Sequence, residues 1–287
     1  MTKFVFVNYT GGYCGNFFTG LICEALGIKY ESKVGDNNAY TFDNVGTSLD
    51  FVKMLSKLFE IRQRSLNLED PRVTRALQLD QRYERSLQMY KILEDPSDDV
   101  FIENIKNYYS DFLSRIKADY YVDRIHYAFS YKGYSLTDII PNAKVVYLYT
   151  EDPRLHRLFV MLFHYKTKDD EADVALQVNT LSEKRLKSSI DHPEQSILKP
   201  FIEGALNVDM GRIIFDRDES YVSGVEMGLS SLLDTNVTLN KKRLSDYAER
   251  NVGIIKSIVG DDFMSMSDSE CAKACRRYLE NNVRKNV

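Results

Sequence analysis

The chain has 287 residues, 44% hydrophobic and 28% charged, which suits one large globular domain or a domain carrying a sizeable insertion. A formal net charge of −4 gives no bulk attraction to nucleic acid or to an anionic membrane, so neither is expected as a partner. No stretch approaches the roughly 20 apolar residues of a membrane span, and the Met-Thr-Lys start lacks the apolar core and cleavage site of a secretory leader, so a cytoplasmic protein is expected.

Lys3 to Asn8 is a short, near-continuous apolar run that fits a buried parallel strand. Glycines follow at 11, 12 and 15. Phe17, Phe18, Leu21, Ile22, Ala25 and Leu26 then repeat with the period of an amphipathic helix, which Gly27 ends. Strand, glycine loop and helix in that order open many nucleotide-binding α/β folds. Residues 28–48 are polar and turn-rich, with a loop expected at Asp36-Asn37-Asn38. From Leu49 to about Lys117 the pattern is mostly helical. Asp70-Pro71 and Asp95-Pro96 break it, and each reads as a new helix start. This long helical insertion is expected to wrap the sheet or supply a lid.

Tyr120 to Tyr127 reads as a second strand and Ser135 to Ile140 as a short helix. Val145 to Tyr149 is the clearest buried strand. Thr150-Glu151-Asp152-Pro153 signals a helix start, and the helix behind it carries Leu155, Leu158, Phe159, Leu162 and Phe163 on one face. Residues 166–196 form a charged surface segment. Asn207 to Met210 and Arg212 to Phe215 look like strands. Helices follow over Ser220 to Leu233, Lys241 to Val259 and Asp268 to Val283. Short strands alternating with helices predict a single α/β domain over 1–287 with a central parallel sheet.

Three constellations could carry chemistry. In Thr10-Gly11-Gly12-Tyr13-Cys14-Gly15-Asn16, backbone N–H groups at a helix start converge on one point, where phosphate or sulfate is the natural ligand. The loop lacks the Gly-Lys-[Ser/Thr] ending of an NTP-hydrolysing loop. The plain alternative is a tight turn with no ligand. His126, near a strand end, has the chemistry of a general base, and the alternative is a satisfied core or surface histidine. Arg154 and Arg157 open a helix one turn apart and can clamp a phosphate, against the alternative of a solvated helix face. His156 and His164 lie two turns apart, too far for a chelate. Cys271 and Cys275, spaced i, i+4, read as core thiols, because no His or further Cys pair follows to complete a metal shell.

Three segments in order resemble the cytosolic-type sulfotransferases that use 3′-phosphoadenosine-5′-phosphosulfate (PAPS). Val7 to Leu21 resembles the family's 5′-phosphosulfate loop. Arg124-Ile125-His126, then Pro141-Asn142-Ala143-Lys144 and Val145-Val146-Tyr147-Leu148, resemble the strand bearing the catalytic histidine and the strand leading to the 3′-phosphate site. Leu206-Asn207-Val208-Asp209 through Leu232-Leu233-Asp234 resembles the family's late strand and helix, with Asp218-Glu219-Ser220 at the helix start. The resemblance implies a P-loop-type, three-layer α/β/α fold with a helical insertion at about 49–117. It implies PAPS held by the loop amides from Gly12 to Asn16, with no metal expected. His126 would deprotonate a hydroxyl of a small-molecule or carbohydrate acceptor that attacks sulfur in line. Tyr13 stands where the family carries a cation. Thr150 or Glu151 stands where it carries an arginine. Two other readings stay open: a non-catalytic binding or structural descendant of the fold, and a phosphoryl-transfer enzyme using a strand-end carboxylate such as Asp123 or Asp209 for Mg²⁺.

Overall fold

A computed structural model describes residues 3–9, 14–28, 30–34, 38–42, 62, 97–114, 119–125, 130–131, 134–140, 142–168, 183–184, 186–191 and 204–283. Thr10, Gly11, Gly12, Tyr13 and His126 lie outside the described residues, as does most of the expected insertion. The chain divides into two compact units. One comprises Met1–Phe6 and Phe42–Lys144, the other Val7–Thr41 and Val145–Val287.

The fold is α/β. Its central four-stranded parallel sheet is built from β1 (Lys3–Tyr9), β4 (Tyr120–Ile125), β7 (Ala143–Tyr149) and β8 (Leu206–Asp209), in the order β4-β1-β7-β8. β7 and β8 run parallel in the register Val146↔Leu206 to Tyr149↔Asp209. β1 and β7 are buried over most of their length, as near-continuous apolar strands of a parallel sheet must be. In the first unit Phe4 and Phe6 pack against Tyr121 of β4, with ring centroids 5.5 and 6.4 Å apart.

The first helix, α1 (Gly15–Ala25), ends as its sequence predicts. Gly27 takes φ +66°. Its N–H bonds the Glu24 carbonyl and the Ile28 N–H bonds that of Cys23, so two orphan carbonyls are satisfied by one left-handed residue. The face of α1 that carries Phe17 stacks on Tyr247 at 3.6 Å between centroids. Tyr247 belongs to α7 (Lys241–Val259). At the other end of α1, Glu24 pairs with Arg243 and accepts from Asn240. The helix α2 (Asp98–Ser114) starts two residues beyond Pro96 with Ser97 before it, near the predicted break.

Two strands fall within the polar, turn-rich residues 28–48. β2 (Tyr30–Val34) and β3 (Asn38–Phe42) make a separate two-stranded sheet. A polar strand is held by its backbone ladder, so hydrophobic periodicity does not announce it. β5 (Ser130–Tyr131) and β6 (Tyr134–Ser135) pair antiparallel ahead of the short helix α3 (Leu136–Ile139).

The expected strand at Arg212 to Phe215 is corrected to helix α5 (Met210–Ile214). A run such as Arg-Ile-Ile-Phe buries equally well in either element. The Asp209 carboxylate decides it by accepting from the Gly211 N–H at 2.8 Å and starting a helical turn. The remaining long helices are α4 (Pro153–Lys168), α6 (Glu219–Leu233), α7 and α8 (Asp268–Val283), close to their predicted bounds. The segment expected at the surface includes helical residues 186–191, in which Leu186, Ser189 and Ile190 are buried.

Candidate functional site

In an open parallel sheet, ligands bind outside the carboxyl ends of the strands, at the point where the strand order reverses. From β1 the chain crosses to β4 on one side, and β7 and β8 then fill the other. That reversal lies beside β1 and β7, and three strand-to-helix junctions open on the same edge: β1 to α1, β7 to α4 and β8 to α5.

The β7–α4 junction is closed by its own side chains. Asp152 caps α4 by accepting from the Arg154 N–H at 2.8 Å, with Pro153 at the first helical position. Burial pushes the Asp152 carboxyl up. Hydrogen bonds from the Arg154 side chain and backbone outweigh it, and the net position is below the usual range. Arg154 spends its guanidinium on Asp152, at 2.6 Å from Nη2, and on the carbonyls of Met264 and Met266, at 3.0 and 2.9 Å from Nη1. Arg157 is only 2% exposed. Its Nε donates to the Ser189 carbonyl at 3.0 Å and its Nη1 pairs with Asp268. The two predicted phosphate-clamping arginines thus lie on one helix start with both guanidiniums held by protein acceptors. Beside them His156 is buried, and its imidazole is pushed down to about 4 by burial first and by the Arg157 charge second.

The β8–α5 junction is closed in the same way. Asp209 caps α5, and its own N–H donates to the Tyr221 hydroxyl oxygen at 2.6 Å. Burial raises the Asp209 carboxyl above its usual range, against the pull of the N–H groups of Gly211 and Arg212. Arg212 lies over the Tyr221 ring at 4.1 Å and pairs with Asp218 at 2.5 Å. Burial also pushes the Tyr149 phenol up to about 12, and Tyr221, Asp209 and Glu151 add to the shift. A β-carbon at Gly211 would stand 2.7 Å from Leu155, 2.8 Å from the Thr150 hydroxyl and 3.0 Å from Asp209. The β7 and β8 junctions are therefore pressed together at this glycine, with no room for a ligand atom.

The β1–α1 junction differs. Cys14 precedes the helix in the left-handed region, φ 58° and ψ 25°, and supplies no side-chain cap. The first turn of α1 holds no acidic residue. Every other long helix among the described residues starts on a side-chain oxygen: Ser97 for α2, Asp152 for α4, Asp218 for α6, Asn240 for α7 and Ser267 for α8. Tyr9, the last residue of β1, lies flat against Gly15, where a β-carbon would come within 2.0 Å of its ring, and its hydroxyl donates to Asn16 Oδ1 at 2.7 Å. Gly15 is small because an aromatic ring occupies the space beside it. The helix start carries the positive end of the dipole, with no acidic residue in its first turn.

Of the predicted site residues, Cys14, Gly15 and Asn16 are together at the α1 start, and Arg154 and Arg157 are together in the closed junction. Tyr9, Tyr149, Arg212 and Tyr221 escaped the sequence reading. Their position at, or one element beyond, a strand end is the signal that marks them. Neither a family model, nor a curated protein, nor a solved structure matches this chain.

Proposed function

We propose that the chain binds an anionic nucleotide at the α1 start and acts as a sulfotransferase-like enzyme, moving a sulfonate from PAPS to a hydroxyl of a small molecule or sugar. One observation carries the reading. Among three junctions on the carboxyl edge of the sheet, the two on β7 and β8 are capped by their own aspartates, while among the described residues α1 starts without a side-chain cap and its first turn holds no acidic residue. In this reading the loop from Thr10 to Asn16 holds the 5′-phosphosulfate by main-chain amides, and His126 takes the proton of the acceptor hydroxyl. The hydroxyl oxygen forms a bond to sulfur as the bond to the bisphosphate leaving group breaks. The P-loop-type architecture belongs to the same proposal.

Calorimetric titration with adenosine 3′,5′-bisphosphate tests it. Saturable binding at millimolar ligand or below, lost in Gly12→Asp, is expected, and absence of binding removes the donor. Given binding, sulfonate transfer abolished by His126→Ala with donor affinity unchanged supports the catalytic role.

A second reading has its own observation. Both arginines that would hold a second phosphate are occupied by Asp152, Asp268 and backbone carbonyls. A non-catalytic binding or structural protein on the same fold fits that arrangement. It predicts no thermal stabilisation by adenosine 3′,5′-bisphosphate, ATP or GTP, with or without Mg²⁺, whereas any nucleotide-using enzyme is stabilised by mass action.

A further inference from the structure

We draw no further inference here: the strongest candidate, the cluster of Tyr149, Glu151, Asp209, Arg212 and Tyr221 at the carboxyl ends of β7 and β8, belongs to the closed junction already described, and nothing among the described residues shows a ligand for it.

Discussion

The β1–α1 and β7–α4 junctions are built to one plan, a buried strand running into a helix at the same edge of the sheet, and they end in opposite states. At β7–α4 the aspartate cap, the proline and two arginines satisfy one another, and the arginines reach across to the backbone around Met264 and Ser189. At β1–α1 the cap position is a left-handed cysteine, no capping oxygen stands among the described residues, and the ring of Tyr9 fills the space beside Gly15. The lesson is that a basic residue near a helix start does not define an anion site. Arginines beside an aspartate cap are taken up by the fold, and the proposed anion site falls instead at the helix start without a carboxylate.

Four experiments can break or sharpen this contrast. The largest effect is expected from acid. His156 sits in the first turn of α4, and its imidazole is pushed from 6.5 to about 4 in the folded chain. A depressed histidine contributes stability that is complete above the unfolded value and is lost as pH falls through the window between the two. Stability should therefore drop by roughly 3 kcal/mol from about pH 7 to about pH 4 on this account. Urea unfolding across that range measures it, and His156→Gln should flatten the limb. If the limb survives the substitution, the junction is not sealed as described.

Next in size, Arg157→Leu should cost about 2–3 kcal/mol, because the Ser189 carbonyl loses its buried donor while the half-exposed Asp268 is rescued by water. Its affinity for adenosine 3′,5′-bisphosphate should equal that of the parent. A loss of affinity at unchanged stability would make the closed junction a ligand site after all. Gly15→Ala should cost roughly 1–3 kcal/mol by driving a methyl into the Tyr9 ring. Tyr9→Ala in the same chain should return part of that loss, and a double-mutant cycle gives the coupling. The smallest effect is a gain. Cys14→Gly should stabilise by about 1 kcal/mol, read as a shift in the urea midpoint, because φ 58° suits glycine.

Much of the fold was legible in the sequence, and the reasons are local. Phe17 to Leu26, Val145 to Tyr149 and Leu155 to Phe163 carry strong periodicity, and Gly27 and Asp152-Pro153 mark boundaries through backbone chemistry. Arg212 to Phe215 misled because an apolar run of that length fits a strand or a buried helical turn, and only the Asp209 cap decides between them. Tyr30 to Val34 was missed because its alternation carries too few apolar residues to register. At the site, the α1 start was readable from its glycines. The fate of Arg154 and Arg157 was not. Their partners include Met264, Met266 and Asp268, more than a hundred residues further along, and no pattern in a single chain reports such a pairing.

The hydrogen bond from the Asp209 N–H to Tyr221 has a further consequence, for behaviour in concentrated solution. β8 ends the order of the described sheet, and a terminal strand offers unsatisfied ladder groups that can recruit an extended segment of another molecule. A phenol from α6 already occupies one of those groups at 2.6 Å. A four-residue strand with its last donor plugged by a side chain of its own fold makes a poor template for strand addition. Tyr221 thus makes the end of β8 a poorer point for strand addition.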